Sequence, residues 1–397
     1  MRSELTVAWG AALLIAGASA ASAASLSGKP FKIDPGAAGE QVIVTAFGNG
    51  ADFGAVIAED ATKDKVPETV YLQLFDAKGK PKGKKALVFT GEPALGRPAM
   101  ATPGGALPLS GGKTLVGYTD QRMSTPGSFG GFFGQAMANG KKSGKEVEID
   151  SVASGQFAFG YLLPLADGRG LAYWTALDFQ LKNTAGARFV STSGDLAPSN
   201  IDLTRNGSTF SGASPYLQGF ITQHVQADSK FKKASIFARI YGADGKPSGA
   251  EVALEKDGPF NDAVFTSAVG MKDGTITVMR SVMTKTGAEL SAQLYSSSLA
   301  PQGKPKVLAK NLLGQPYAAH PLENGDLLVG VKVADGAKDV ALEYRRYSPS
   351  FKQVGASARI AGVKNPDFLQ LVQLEGGDMV ALYTSDGIDP TGQIIKP

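Results

Sequence analysis

Two histidines and one arginine are the side chains whose types and positions could do chemistry. His224 and Arg280 occupy one hairpin position in adjacent repeats, where other repeats carry Tyr118, Trp174, Val331 and Tyr383. We interpret the aromatic rings at this position as packing between blades. An unpaired buried charge is costly, so Arg280 predicts an anion or sugar site near a central channel, with His224 beside it. The alternative is a structural Arg with a partner and an ordinary exposed His. We interpret His320, at a strand end in Ala319-His320-Pro321, as structural.

Acidic residues and lysines recur at fixed places and predict two oppositely charged faces. An acid follows the third strand of most repeats, and Lys-rich turns close the fourth. Paired carboxylates could cleave a glycoside, and a basic face could meet an anionic polymer. The alternative is that Asp starts turns and Lys is solvated. The acids are Asp60, Asp120, Asp178, Asp228, Asp335 and Asp386, of which Asp120, Asp178 and Asp228 are ligand-binding candidates; the basic-face candidates are Lys80, Lys82, Lys141, Lys142 and Lys246.

An insertion in the second repeat, from Met123 to Gly134, brings Phe residues into a Gly-rich segment. Phe129 and Phe132 exposed on such a loop would contact a sugar or a protein partner. The alternative is that part of the segment is strand.

Several kinds of chemistry are excluded by composition. The chain has no Cys, so disulfides, thiolate metal sites and a Cys nucleophile are impossible. Two His cannot form a three-His metal site. No Gly-x-Ser-x-Gly, phosphate-loop or His-Glu-x-x-His pattern occurs. The net charge of +4 is too small to argue for nucleic acid, and we expect no cofactor or metal.

A recurring hairpin must position these residues. Pro108 to Asp120 reads as a strand end, a tight Gly turn and a second strand, and the pattern returns four more times. The tip glycines are Gly112, Gly168, Gly274, Gly325 and Gly377. One spacing is twice the others, which indicates a degenerate copy between Gly168 and Gly274. A period of about 53 residues, with four strands per unit, is typical of a propeller.

The expected fold is all-β: a seven-bladed β-propeller of four-stranded antiparallel blades. Six or eight blades would follow from a counting error. The first strand of each repeat should be the outer strand of the preceding blade. Pro30 to Ile33 would then complete the blade begun by the C-terminal strands, which removes free sheet edges.

The N-terminus has the pattern of a secretory signal. Arg2 precedes a short apolar run from Val7 to Ala18, and Ala21-Ser22-Ala23 is a small-x-small cleavage site. We expect a signal peptide at 1–23 and a single propeller domain at 24–397. The run is shorter than the ~20 residues of a membrane span; an uncleaved anchor is the alternative. The mature chain is expected to be a periplasmic or secreted monomer with no transmembrane segment.

The turns and hairpins, with a terminal aromatic in each repeat, resemble the propeller-type repeats of secreted proteobacterial proteins. The resemblance covers nearly the whole mature chain, and its motifs are structural. Trp-Asp repeat ends, Asp-boxes, Kelch patterns and Ca-binding Asp-x-Asp-x-Asp loops are missing. Asp389-Pro390-Thr391-Gly392 resembles the turn of quinone-binding propeller repeats, but it occurs once and its Trp is missing. No enzymatic activity follows from the resemblance.

The sequence therefore favours a non-catalytic extracytoplasmic protein that binds or scaffolds an envelope protein or glycan. The alternative is a glycan-cleaving enzyme that uses carboxylates of the acidic face. A scaffold without a small ligand is the third interpretation. An enzyme would need two carboxylates ~5–10 Å apart in a cleft, whereas a binding module would show aromatic residues without such a pair.

Overall fold

The computed structural model describes residues 23–34, 40–60, 67–91, 101–120, 128–151, 155–177, 183–230, 232–259, 264–314, 318–336, 339–364, 366, 369–385 and 389–397. The predicted signal peptide lies almost entirely outside these residues. Within them the chain is all-β, with one short 3-10 turn at Ser110–Gly112. No helix in this part of the chain has the length and apolarity needed to cross a membrane.

The strands follow one another through short turns. In chain order they are β1 (Ser25–Lys32), β2 (Glu40–Asn49), β3 (Asp52–Asp60), β4 (Thr69–Phe75), β5 (Ala86–Thr90), β6 (Ala101–Leu109), β7 (Lys113–Asp120), β8 (Ser128–Phe129), β9 (Gly131–Ala138), β10 (Lys141–Lys142), β11 (Val147–Ser151), β12 (Gly155–Pro164), β13 (Gly170–Leu177), β14 (Asn183–Val190), β15 (Ile201–Asp202), β16 (Thr209–Tyr216), β17 (Gly219–Ala227), β18 (Lys233–Tyr241), β19 (Val252–Pro259), β20 (Val264–Gly270), β21 (Ile276–Thr284), β22 (Gly287–Tyr295), β23 (Pro301–Leu312), β24 (Ala318–Pro321), β25 (Leu327–Asp335), β26 (Asp339–Tyr347), β27 (Ala358–Val363), β28 (Leu369–Gln373), β29 (Met379–Ser385) and β30 (Asp389–Lys396).

These strands form seven antiparallel sheets in the described chain, so the predicted seven-bladed propeller is confirmed. Blades 1 to 6 begin at β2, β6, β12, β16, β20 and β24, and each runs from an inner to an outer strand. Blade 2 carries both β10 and β11 on β9, and β8 adds in parallel to β12 of blade 3. The turns between first and second strands, and between third and fourth strands, share one face, which we call the hairpin face. The remaining connections form the loop face.

Blade 7 is closed by the N-terminal strand, as predicted. Its order is β28-β29-β30-β1, and β1 pairs antiparallel with β30 from Ser25–Lys396 to Lys32–Thr391. The strand is longer than the predicted Pro30 to Ile33. A β-bulge separates Ser27 from Phe31 within this pairing. The first and last strands of the domain are thereby held in one sheet.

The core consists of seven clusters, one between each pair of neighbouring blades in the described chain. The strand sequences are apolar runs because each of the two faces of a blade is covered by a neighbouring blade. Large rings are accommodated by glycines: a Cβ on Gly186 would lie 2.6 Å from the ring of Trp174, and one on Gly330 would lie 3.0 Å from Tyr344. The close approach therefore requires Gly at these two positions.

The degenerate fourth repeat differs in its hairpin. Tyr216 pairs with Gly219, so only Leu217 and Gln218 form the turn. Leu217 has a φ of +48°, in the left-handed region that other hairpins fill with Gly. The inner strand of this blade spans Thr209–Tyr216, and its first half lacks an apolar run.

A long polar side chain near the end of the third strand fixes the outer turns. Gln73 Nε2 donates to the carbonyl oxygens of Leu74 (2.8 Å) and Gly83 (3.4 Å). Gln135 and Gln393 make the same type of contact in blades 2 and 7. These bonds tie the third strand to the turn that follows it.

Phe31 is the main apolar anchor of the closing strand. Its ring lies 5.8 Å from that of Phe53 and 6.1 Å from that of Phe75 in blade 1, and it covers Gly79 and Gly392. We expect Phe31→Ala to lower the free energy of unfolding by about 2–4 kcal/mol, because it empties the junction between blades 7 and 1.

Urea unfolding of the mature chain measures this loss. Leu26→Ala is the matched control, since Leu26 lies on the same strand and is 39% exposed. This variant should lower the free energy of unfolding by less than about 1 kcal/mol. Equal losses in the two variants would contradict the assignment of Phe31 as the anchor.

Candidate functional site

The central opening on the hairpin face holds a large cavity. It has a volume of about 1020 Å³ and is lined by the hairpins of blades 3, 4 and 5 and by the inner-strand ends of blades 6 and 7. A second cavity of about 650 Å³ adjoins it, and Gln373 lines both. Concave sites with a few convergent polar groups are where ligands bind most often.

His320 is the imidazole of this opening. It lies at the end of the short inner strand β24, next to Pro321, and is half-buried. Its Nε2 lies 3.1 Å from Oε1 of Gln373 on blade 7. Because that oxygen accepts, Nε2 carries the proton and Nδ1 is the basic nitrogen. Burial lowers the pKa of His320 below 6.5, against the opposing effect of the Gln373 hydrogen bond. The imidazole is therefore uncharged near pH 7.

Charged side chains from two neighbouring hairpins lie beside His320. Lys272 of blade 5 forms an ion pair with Glu323 of blade 6, and both act electrostatically on His320. The ammonium lowers the pKa of the imidazole and the carboxylate raises it. Since the pair is exposed to solvent, an incoming anion can compete with Glu323 for Lys272.

Rigid hairpins position these charges. In blade 6, Arg346 Nε donates to Asp326 Oδ2 at 2.5 Å, and both side chains are about 9% exposed. In blade 5, Asp273 Oδ1 accepts from the backbone N–H of Thr275 at 2.9 Å. Tyr216 of blade 4 donates its hydroxyl proton to the Gly274 carbonyl oxygen at 2.6 Å. These bonds hold Lys272 and Glu323 at the rim of the opening.

The two residues that sequence patterning selected lie between blades. Arg280 on β21 makes two hydrogen bonds, of 2.8 and 2.7 Å, to the carboxylate of Glu255 on β19. The expected partner of Arg280 therefore exists, and it joins blade 5 to blade 4. His224 is 3% exposed, and its Nε2 donates to the Leu203 carbonyl oxygen at 2.8 Å. The structure does not bring either residue into the central opening.

The other residues at the hairpin position shared by Arg280 and His224, all but one of them aromatic, pack between blades. Tyr118, Trp174, Val331 and Tyr383 are at most 5% exposed. This agrees with the interpretation of that position as packing. His224 fits the same pattern, since its ring lies edge-on to Phe210 at 5.3 Å.

The acidic loop residues make contacts of their own. Asp60 and Asp120 are buried, at 0% and 3% exposure. Asp228 accepts hydrogen bonds from the backbone N–H groups of Lys232 and Lys233, which lower its pKa. Asp335 pairs with Arg359 at 2.9 Å. Asp178 and Asp386 lie outside the described residues. A role for Asp120, Asp178 or Asp228 in ligand binding stays a prediction.

Phe132 is fully buried, so the expectation of an exposed contact residue is wrong for it. It lies on β9, and its ring covers Gly160 of blade 3, where a Cβ would come within 2.4 Å. Successive side chains of a strand point to opposite faces of the sheet, and the side chain of Phe132 points into the interface between blades 2 and 3. Phe129 belongs to β8, and its side chain lies outside the described residues.

The lysine-rich turns lie on the hairpin face and are exposed, as expected, but this face is not uniformly basic. Lys82 pairs with Asp52 at 2.6 Å, and Lys246 lies 3.7 Å from Asp244. Carboxylates of the hairpin tips share the face with the turns, because both kinds of turn point the same way. Binding of an anionic polymer by Lys80, Lys82, Lys141, Lys142 and Lys246 stays a prediction.

The sequence patterns did not predict Lys272, Glu323 or Gln373 as site residues, and they led to the interpretation of His320 as a structural residue. A usable signal was present: His320 directly precedes Pro321, the residue that starts the blade 6 hairpin. Residues at this place on every inner strand converge on one opening once the ring closes. Among the described residues, no group of three His, Asp or Glu side chains could hold a metal ion.

No protein-family model matches the chain, and neither does any curated protein. Solved structures do match. Polysaccharide lyase Uly1 is 9% identical over 92% of this chain and 90% of its own, with a TM-score of 0.57. An ulvan lyase of family PL25 is 9% identical over 93% and 94%, with a TM-score of 0.53. A Trypanosoma rangeli sialidase is 8% identical over 94% of this chain and 59% of its own, with a TM-score of 0.50.

At these identities the likeness establishes the fold. It confirms the resemblance to propeller repeats at that level, while no family model supports a link to secreted bacterial repeat proteins. The expectation of a non-catalytic binding or scaffold protein is wrong, because the structural neighbours are lyases and a sialidase.

The burial of His224 predicts that the stability of the folded chain depends on pH. Burial lowers its pKa below 6.5, so the unfolded chain binds this proton more readily than the folded chain. The stability that the neutral imidazole contributes is therefore present above pH 6.5 and is lost as the pH falls through the folded pKa. We expect His224→Gln to lower the free energy of unfolding by about 1 kcal/mol at pH 8. The difference in unfolding free energy between wild type and this variant should narrow toward pH 5.

Urea unfolding at several pH values measures both curves. His320→Gln is the control for the second histidine, because it leaves the His224 contribution intact. A gap between wild type and His224→Gln that does not change with pH would contradict the prediction.

Proposed function

We propose that this chain is a glycan-cleaving enzyme whose reaction takes place at the central opening of the hairpin face. The observation that carries the proposal is the uncharged His320 imidazole in a large central cavity, beside the Lys272 and Glu323 pair. An open cavity at the centre of a propeller can admit one segment of a polymer. The structural likeness to polysaccharide lyases supports the choice of a glycan as substrate.

The set of groups fits base-assisted elimination from an acidic glycan better than hydrolysis. One of the similar lyases is bound to -[GlcA(1-4)Rha3S]-. In an elimination, His320 Nδ1 takes the proton from the carbon next to the sugar carboxylate. The C–H electrons form a C=C bond, the C–O bond to the leaving sugar breaks, and the leaving oxygen takes a proton from a water molecule; the proton on Nδ1 then passes to solvent. Lys272 would hold the sugar carboxylate and stabilise the charge that develops on it.

The pKa of His320 suits this role. A general base must be unprotonated at the working pH and lie within reach of the proton it takes. Burial keeps the imidazole neutral near pH 7, and Gln373 fixes its orientation through Nε2. The Gln373 contact is the positioning contribution, because it determines which nitrogen carries the lone pair.

We expect His320→Gln to lower kcat by about 10²- to 10⁴-fold, which is the usual contribution of a general base. Lys272→Met should mainly raise KM for an acidic glycan. In wild type, the rate should rise with pH through a midpoint below pH 6.5, because burial lowers the pKa of the imidazole. The assay measures new reducing ends and the ultraviolet absorbance of the unsaturated product over a panel of acidic and neutral polysaccharides.

Lys310→Met is the matched control, since Lys310 lies on the outer strand β23 and is 65% exposed. Its activity should equal that of wild type. Cleavage without an unsaturated product would assign hydrolysis in place of elimination. Unchanged cleavage in His320→Gln would refute this site.

We also propose that the chain is exported and works outside the cytoplasm, as a periplasmic or secreted protein. The support is the N-terminal pattern of Arg2, the apolar run and Ala21-Ser22-Ala23. N-terminal sequencing of the protein from an envelope or culture fraction should give Ala24 as the first residue. An intact Met1 in those fractions would contradict cleavage.

A further inference from the structure

A series of aromatic rings runs from the channel wall into the crevice between blades 3 and 4. Phe159 and Tyr161 lie on the inner strand β12, with ring centroids 6.4 Å apart and planes 24° apart. Tyr161 lies 5.4 Å from Tyr173 on β13, and Tyr173 lies 5.8 Å from Phe210 on β16 of blade 4. The inner end of the series reaches solvent and the outer end is buried.

The two inner rings are unusually exposed for this fold. Phe159 is 54% exposed and Tyr161 is 39% exposed, whereas Phe210 is 8% exposed. Large aromatic side chains normally bury most of their surface. An exposed aromatic pair inside a channel therefore indicates a contact surface.

Tyr161 has no aromatic counterpart at the same level of the other described inner strands. The position lies three residues before the last paired residue of the inner strand in blades 3, 5, 6 and 7, and four residues before it in blades 1, 2 and 4. Its occupants are small or polar in the other blades: Thr45, Gly105, Gly212, Ser267, Ala318 and Gln370. Structural packing alone does not require a ring here, since six blades manage without one.

The packing of blade 3 on its two neighbours is asymmetric. Toward blade 2 the inner strands meet closely, because a Cβ on Gly104 would lie 2.5 Å from the Gly160 carbonyl oxygen. Toward blade 4 the gap between inner strands holds the rings of Tyr161 and Tyr173. Burial raises the pKa of both phenols, so the aromatic surface is uncharged. Its inner rings form a neutral, flat wall of the channel.

We propose that Phe159 and Tyr161 form a carbohydrate-binding subsite, in which their apolar surface packs against the C–H face of a pyranose ring. A pyranose is amphipathic: its ring faces are apolar and its rim carries hydroxyl groups. This inference rests on the proposed function only for the choice of a glycan as ligand.

The test is a binding measurement that does not depend on cleavage. Trp174 is the only tryptophan in residues 24–397; it pairs with Gly160, between the two rings on β12, so its fluorescence reports on blade 3. Calorimetry and Trp174 emission are recorded with hexasaccharides of -[GlcA(1-4)Rha3S]- type and of a neutral glucan. Phe159→Ala and Tyr161→Ala should each weaken the binding of at least one probe by about 3- to 10-fold.

Two further variants separate stacking from other effects. Tyr161→Phe keeps the ring and should bind within about twofold of wild type. Leu87→Ala removes an equally exposed apolar side chain (48%) from the outer strand β5 and should bind as wild type. Thermal unfolding of each variant identifies any loss that comes from misfolding.

The outcomes are distinguishable from those of the proposed function. Binding that falls in Phe159→Ala and Tyr161→Ala supports the subsite, even if no probe is cleaved. Cleavage or binding that is unchanged in both alanine variants overturns the subsite and leaves the His320 assignment intact. Failure of every hexasaccharide to bind wild type also overturns it.

Discussion

The pairing of β1 with β30 is the interaction on which the rest of this structure depends. The chain has no Cys, so backbone hydrogen bonds and apolar packing must close the ring. Without β1, the outer edge of blade 7 would be unpaired and Phe31 would leave the interface of blades 7 and 1. Both cavities described above depend on closure, because each is lined by blades that are distant in sequence.

A polar cluster adds to the closure at the same junction. Lys85 of blade 1 contacts Asp34, which follows β1, at 2.6 Å, and it also pairs with Glu59. Both carboxylates are less than 10% exposed. Burial raises the pKa of Glu59, against the opposing effect of Lys85. Such a cluster favours one arrangement of the two blades, since breaking it would leave a buried charge without a partner.

The candidate site occurs where the seven-fold pattern is broken. Six blades have a glycine with positive φ in the first hairpin, all seven pack on their neighbours through apolar clusters, and this scheme fixes the disc. His320, Lys272 and Tyr161 are departures from it on inner strands or hairpin tips. Propellers can vary these positions at little cost, because the interfaces between blades supply the stability. The proposed chemistry and the proposed subsite both use such positions.

The hairpin spacing in the sequence determined the blade number, the strand phase and the closing role of the N-terminal segment. These follow from local physics: a Gly-containing turn and alternating apolar strands need no distant partner to be recognised. Periodicity also indicated that the position of Tyr118 and Trp174 is for packing, and burial bears this out.

Only the tertiary structure decided which unusual residues meet. Arg280 and Glu255 are 25 residues apart, and His320 and Gln373 are 53 apart, so no local pattern could pair them. Arg280 and His224 were candidates because they break an aromatic pattern, but in the closed ring that position lies between blades. His320, Gln373 and Tyr161 lie on inner strands, whose ends converge only when seven sheets are arranged around one axis. Spacing along the chain specifies a strand and its turn, while the contacts across the channel depend on the closed ring.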